Sequence, residues 1–393
     1  MKAQNFRIRL HIVSPVHIGC DDVYEPTSFI IDEKKKKLIE FDPLDFVESL
    51  LPHERSEFSK IASGDDLLNI FKVINRFYKP SIKSREVDVS DYLVNHYKKI
   101  LELKTYDKKT VINQFIINKT AYNPYTTQPY IPGSSLKGAI RTAYLNIKAG
   151  ELGIRDCWVN YLEKTSSKNA EEIYKSIIKK HIAKEFERKL LNGEFNTDPF
   201  RMVKISDLLP VERVKTKIVY AINRKKQKSN RATLAERGGV YQIFEVIQPG
   251  AVFEGVININ APITSSGIKF PITADKLMAS LNKFYVPLLE NEIKTLKGID
   301  ISVPLINEIN SKFKGKINKT AFIVSIGRHS GAEAVTIEGN RLIKIMQGRD
   351  REGRMRYEYK PYSTTIWLAS DSPKPQSNNG LLPFGWAVLE ILS

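Results

Sequence analysis

Apolar and polar positions alternate from Phe6 to Ser14 in "FRIRLHIVSPVHIG", the period of a half-buried strand that ends in a turn at Pro15. "FIIDEKKKKLIEFD" keeps that alternation on both sides of Lys34 to Lys37 and predicts a hairpin with a solvated lysine tip. Asp42-Pro43 opens a helix, with proline in the first helical position. From about 50 to 119 the spacing turns helical and the composition polar, which predicts an inserted helical lobe. "AYNPYTTQPYIPG" is a proline-punctuated loop, and residues 134–149 and 170–191 carry apolar positions at helical spacing.

The second half changes character. "MVKISDLLP", "TKIVYAINR", "VYQIFEVIQPG" and "AVFEGVININ" are short, β-branched and aromatic, as strands are. A helix is expected from Ala274 to about Leu296, then a strand running into a glycine turn in "AFIVSIGRHSGAEAVTIEGN", then strands in "STTIWLAS" and "LLPFGWAVLEIL". Helices packed on one face of a β-rich frame make an α+β design, with two units of βαββαβ type as the expected arrangement.

The helix in "YIPGSSLKGAIRTAYLNIKAG" has two sides. Leu136, Ile140, Ala143, Tyr144 and Ile147 form one apolar stripe, while Ser134, Lys137 and Arg141 fall roughly opposite. The first amides of a helix have no intrahelical partner and carry the positive end of its dipole. Gly133 allows close backbone approach, Ser134 or Ser135 can cap, and Gly138 keeps the first turn bare. These features together predict a phosphate seat. The alternative is a capped amphipathic helix whose cations merely face water. The GxxxxGK[ST] spacing of a P-loop is absent, which argues against nucleotide hydrolysis.

Charge sharpens this reading. The 393 residues hold 61 Lys plus Arg against 44 Asp plus Glu, a net charge of +17, which favours a polyanionic partner, nucleic acid before an anionic membrane surface. A basic balance alone also suits a soluble protein with no nucleic-acid partner. Cys20 and Cys157 are the only cysteines, too few and too far apart for a metal cluster, so they are expected to be reduced and buried. The lack of a secretory h-region after Met1 and of a bilayer-length apolar run makes a cytoplasmic protein the expectation.

"IPGSSLKGAIRTA" resembles, almost letter for letter, the motif of the RAMP proteins of type III CRISPR effector complexes. "VSPVHIG" is similar to the family's first strand and turn, "VKISDLLP" to its Val/Ile-Ser-Asp strand, and "FEVIQPGAVFEGVI" to its E-x-I-x-P-G-x-x-F segment. "SIGRHSGAEAVTIEG" and "PFGWAVLEI" resemble its glycine-rich loop and closing strand. With the "VHIG" and "YEPTSFIID" opening, the chain looks most like the subunit of the type III-A (Csm) complex that caps the 3′ end of the CRISPR RNA.

The resemblance implies two ferredoxin-like, RRM-related domains, 1–225 with the insertion at 50–119 and 226–393 with the glycine-rich loop. They would grip guide RNA by its backbone, with no aromatic motifs on the sheet. Gly133, Ser134, Ser135, Lys137, Gly138 and Arg141 would contact phosphates and sugars, which fixes register without reading sequence. The second loop is less glycine-dense than the family's, with Arg328 and His329 between Gly327 and Gly331. The implied role is non-catalytic and needs no metal or cofactor. Its implied partners are the 3′ portion of the crRNA, a backbone RAMP subunit, other Csm subunits and a recruited 3′-trimming nuclease, in crRNA maturation and antiviral defence. A repeating backbone subunit is the other binding role open to the family.

His17 is the histidine best placed for chemistry. Related CRISPR RNA-processing endonucleases use a histidine as general base on the 2′-hydroxyl, which would make the chain a metal-independent endoribonuclease. No Tyr or Lys partner follows from spacing, so a turn histidine that bonds locally or touches RNA is the preferred reading. Asp21 and Asp22 read as a solvated turn. "RKKQKSNRATLAER", with Arg224, Lys225, Lys226, Lys228, Arg231 and Arg237, has almost no acidic dilution and reads as a loop along RNA or a neighbouring subunit. "GRDREGRMRYEYKPY" mixes in acids and is nearer a solvated strand pair, on which Tyr357 and Tyr359 share a face that either stacks on a base or packs on the sheet. Tyr122, Tyr125 and Tyr130 carry the same ambiguity.

Overall fold

Ile8, Leu10 and Ile12 alternate along the first strand and are buried, so that strand enters a core from its first turn of pattern. The computed structural model describes residues 2–64, 67–103, 115–154, 182–227, 241–349 and 352–392. In chain order, β1 (Gln4–Ile12), β2 (Gly19–Val23), β3 (Phe29–Asp32) and β4 (Lys37–Phe41) lead into α1 (Pro43–Ser49), α2 (Pro52–Ala62) and α3 (Leu67–Phe77). β5 (Ser84–Asp88), α4 (Asp91–Glu102), β6 (Ile117–Thr120), β7 (Tyr122–Asn123) and β8 (Gln128–Pro129) follow. α5 (Gly133–Glu151), α6 (Ile182–Leu191), β9 (Val203–Ile205), β10 (Leu209–Pro210), β11 (Thr216–Lys225), β12 (Tyr241–Ile247) and β13 (Val252–Ile259) form the middle. The chain closes with α7 (Ala274–Gly298), α8 (Leu305–Lys312), β14 (Ala321–Ser325), β15 (Ile343–Arg349), β16 (Met355–Lys360), β17 (Thr365–Ser370), β18 (Leu382–Pro383) and β19 (Trp386–Ile391).

The elements make an α+β protein built on two sheets. One runs β10-β13-β1-β19-β14, with β9 also on β13, and is antiparallel throughout. The other runs β2-β6-β12-β11-β5-β4-β3, with β17 added to β11 and β18 to β17; its β11–β5 and β12–β6 pairs are parallel. Both sheets take strands from either side of residue 225. β1 lies between β13 and β19, and β11, which ends at that residue, pairs with β12. The topology therefore does not divide into the two successive ferredoxin-like units expected at 1–225 and 226–393.

The 50–119 segment also differs from a purely helical, polar insertion. β5 lies inside it and is stitched between β4 and β11. α3 is apolar on more than one side because it serves two cores: Leu68 and Phe71 join the main core, while Ile70 and Ile74 join a smaller one with Phe41, Phe46 and Leu50. Asp42 caps α1 as expected, its side chain accepting from the Leu44 amide at 2.8 Å. At the β3–β4 tip Lys34, Lys35 and Lys36 are exposed, as expected, and Lys35, Lys36 and Lys37 make surface pairs with Glu86, Asp91 and Asp88.

α5 buries Leu136, Ile140, Ala143 and Tyr144, as the stripe predicts, and Ala139, Leu145 and Ala149 widen the buried face. That width exists because α5 meets α7 as well as the first sheet: the Tyr285 hydroxyl of α7 donates to the Ala139 carbonyl at 3.1 Å. The middle strands β9 to β13 fall where β-branched runs place them. Of the helix expected at 170–191, residues 182–191 form α6, and the rest, like Cys157, lies outside the described residues. Cys20 is exposed, not buried. No helix among the described residues is long and apolar enough to cross a membrane.

Candidate nucleic-acid interface

The start of α5 is held by the Val-Lys-Ile-Ser-Asp segment. The Gly133 amide donates to Asp207 Oδ1 at 2.8 Å, and the Ser135 and Leu136 amides reach the Pro132 carbonyl at 2.9 and 3.4 Å. The expected seat of open amides is therefore largely filled by the protein's own acceptors, with Asp207 neutralising the dipole end. Gly133 is buried, and a Cβ there would come within 2.3 Å of the Ile205 carbonyl oxygen. It lets the helix approach β9; it does not let a ligand approach the helix.

What faces outward is the side-chain surface. Ser134 and Gly138 are exposed, Ser135 and Lys137 half-buried, and a Cβ on Gly138 would meet nothing within 4 Å. Bare backbone at Gly138 leaves room for a strand to lie close. Partial burial, and then the like charge of Lys204 on β9, hold the Lys137 ammonium below its ordinary range. The Asp198 carboxylate acts in the opposite sense, and an exposed hydroxyl, that of Ser134, lies on the same helix turn. Lys204 has no signal of its own in the sequence; only the packing of β9 on α5 brings it to Lys137.

Arg141 is held by the protein's own carboxylates, where the sequence reading expected it to face a phosphate. Its Nη2 lies 2.8 Å from Glu187 and its Nη1 2.9 Å from Asp198, with the guanidinium 5.0 Å from the centre of the Phe200 ring. It fastens α6 and the segment before β9 to α5.

His17 and the glycine-rich loop form one unit. His17 is 1% exposed; its Nδ1 donates to the Glu245 carbonyl at 2.8 Å, and its ring lies 4.4 Å from that of Phe244. Burial pushes its pKa down to about 4, so the ring is neutral at physiological pH. His17 thus has its ring enclosed by the protein, away from the outer surface. Its carbonyl matters more: the Arg328 amide donates to it at 2.8 Å, and Gly327, at φ 80°, approaches so closely that a Cβ would lie 2.5 Å from the same oxygen. His329 sits at φ 64° with its ring 4.4 Å from Trp367, and burial lowers its pKa to about 3. His329 therefore anchors the loop, and Arg328 is the member left exposed, 5.2 Å above the Phe244 ring.

The basic cluster is only partly described. Arg231, Lys228 and Arg237 lie outside the described residues. Arg224 and Lys225 end β11, pairing with Ile366 and Thr365. Lys226 is not available as an RNA contact, because its ammonium lies 2.8 Å from Glu333, which also accepts from the Ser363 amide and hydroxyl. Lys226 and Glu333 line a small cavity with Glu292 of α7, whose carboxylate accepts from the Trp386 indole at 2.6 Å. Burial pushes the Glu292 pKa up to about 7. The folded state thus keeps a proton that the unfolded chain releases, and stability present in acid is lost as pH rises through about 7. Glu292→Gln is expected to flatten this fall; denaturant titrations of both proteins across pH 5 to 8 check it, and parallel curves would contradict it.

A buried ionic network lies behind the first loop. Glu245 is fully buried and meets the Arg85 guanidinium, the Tyr24 hydroxyl at 2.9 Å and the Thr120 amide at 3.3 Å. Arg85 also reaches Glu40 at 3.1 Å, and Glu40 takes Lys119 at 2.7 Å. Tyr122, ambiguous in sequence, lies 4.9 Å beneath the Arg85 guanidinium, while Tyr125 is exposed. The network joins β4, and β5 from within the insertion, to the strands that surround His17.

The chain's likenesses follow these same segments. The RAMP superfamily pattern matches residues 9–320. A Methanocaldococcus jannaschii protein described as the CRISPR system Cms protein Csm5 is 28% identical over 211 residues, covering 52% of this chain and 43% of that protein. The match thus spans less than half of that relative's length. Among solved structures, a chain in the cryo-EM structure of a Csm–crRNA–target RNA ternary complex of a type III-A CRISPR-Cas system is similar over 98% of this chain and 100% of that one, with TM-score 0.55 and 18% identity. The crystal structure of T. onnurineus Csm5 is similar over 97% and 99%, with TM-score 0.52 and 15% identity. At such identities these two likenesses concern the fold. The sequence match, which runs from β1 through α5 to the last residue before β14, makes this chain a member of the RAMP superfamily.

Proposed function

We propose that this chain is a guide-RNA-binding subunit of a type III-A CRISPR complex, similar to Csm5, that caps the 3′ side of the crRNA and supports its maturation. The observation that carries the proposal is the open surface of Ser134, Lys137 and Gly138 with Lys204 alongside. It offers hydroxyls, cations and bare backbone but no side chain arranged to read a base edge. Such a surface fits a phosphate backbone of any sequence. Arg328, presented by the glycine-rich loop, is a further cation for the RNA. The subunit's own partners would be the crRNA and neighbouring RAMP subunits, with 3′ trimming left to a separate nuclease.

The role is non-catalytic in this reading. A general base must reach the proton it removes, and the enclosure of His17 argues against that. The test is to assemble the complex on guide RNA carrying photoreactive bases near its 3′ end. A single copy per guide, crosslinked at those 3′ positions, is expected. Several copies per guide would make it a backbone subunit instead, and repeat-RNA cleavage abolished by His17→Ala would make it an endoribonuclease.

A further inference from the structure

Among the described residues, the β15–β16 ribbon pairs with neither sheet. An isolated two-stranded hairpin is only marginally stable in water, and this one carries an unusual face. Directly opposed residues of an antiparallel pair share a side. Lys344 opposes Tyr359, Met346 opposes Tyr357, and past an irregularity Arg349 opposes Met355. One side of the ribbon therefore holds two tyrosines, two methionines and two cations. Lys344 Nζ lies 3.7 Å from the centre of the Tyr357 ring, and Met346 opposite is 65% exposed.

The charges point to the kind of partner. In 343–360 the described residues include Lys344, Arg349, Arg354, Arg356 and Lys360 against Glu352 and Glu358. Arg354 pairs with Glu352 and Lys360 with Glu358, Arg356 lies on the other side of the ribbon, and Lys344 and Arg349 are the cations on the tyrosine side. A flat π-surface flanked by a soft thioether and rimmed by cations matches a ligand that is itself flat and backed by phosphates. Lys344 is exposed beside that ring, so a base stacked there would have an ammonium next to its phosphate.

We infer that the ribbon is a further RNA contact, in which an unpaired base stacks on Tyr357 beside Met346 while Lys344 and Arg349 meet the adjoining phosphates. This rests on the RNA-binding reading above and extends it from backbone grip to base stacking, which tolerates any base because each has a π-face. The test uses the full chain and a fluorescein-labelled single-stranded RNA. Tyr357→Ala is expected to weaken binding on the order of tenfold, and Tyr357→Phe, which keeps the ring, to restore it. RNA carrying 4-thiouridine should crosslink to the peptide that contains Tyr357.

Unchanged affinity of Tyr357→Ala, together with no crosslink in the ribbon, would overturn the inference. Unchanged RNA affinity with loss of the variant from the assembled complex would also overturn it, making the ribbon a protein-docking element. Lys137→Ala separates the two levels. If it weakens RNA binding while Tyr357→Ala does not, only the ribbon's role falls; if the unaltered chain binds no RNA, the functional reading itself falls.

Discussion

Glu245→Ala is expected to lower the unfolding free energy by about 3–5 kcal/mol, because it leaves the enclosed Arg85 guanidinium without its main counter-charge. The Arg85 and Glu245 side chains are 10% and 0% exposed, so water cannot replace the missing carboxylate. The Tyr24 hydroxyl and Thr120 amide lose an acceptor in the same step. The converse experiment separates pairing from packing. A double variant, Arg85→Met with Glu245→Leu, removes both charges and is expected to recover most of the loss, since apolar side chains can stand in for a buried ion pair. Urea unfolding of the three proteins checks both results. A Glu245→Ala loss below about 1 kcal/mol, the range of exposed ion pairs, would mean that the network is wet.

The second large effect is expected at Gly133. In Gly133→Ala the new methyl would lie 2.3 Å from the Ile205 oxygen and 2.7 Å from that of Ser206, both backbone atoms that no rotamer can move aside. Relief requires α5 to lift off β9, stretching the Asp207 cap and parting Lys137 from Lys204. A cost of roughly 2–3 kcal/mol follows from overpacking, together with weakened RNA binding. Gly138→Ala is the control. Its methyl enters open space, and alanine favours the helix, so stability should rise slightly. Equal stabilities for the two variants would contradict the close approach of α5 to β9.

These residues also mark how far the sequence could be read. The α5 stripe, the Asp42-Pro43 helix start and the strands β11 to β13 follow from period and capping, which are local. The loop–helix motif located the region of the open surface but misassigned its parts, because each part is decided at a distance. Asp207 fills the helix end from 74 positions away, and Glu187 claims Arg141 from 46. Arg85 and Glu245 are 160 positions apart, and each alone looks like a surface charge. β5 is too short for its period to rise above the helical stretch around it, although Arg85, Val87 and their alternating neighbours carry the signal. His17 did carry a sign of burial, flanked as it is by Val16 and Ile18, both of which are enclosed. Each sheet draws strands from both sides of residue 225, and chain order says nothing of which edges meet.

The central claim is that the exposed start of α5, with Lys204 beside it, holds an RNA backbone irrespective of sequence. The salt dependence of single-stranded RNA affinity tests it most directly, measured on the full chain, on Lys137→Ala with Lys204→Ala, and on Arg141→Ala. The double variant should flatten the slope of log K against log salt by about 0.7 for each phosphate left without its lysine, equally for RNAs of different base composition. Arg141→Ala, whose guanidinium serves Glu187 and Asp198, should leave the slope unchanged. A double variant with the slope of the unaltered chain, or one whose weakening depends on base sequence, would contradict the account.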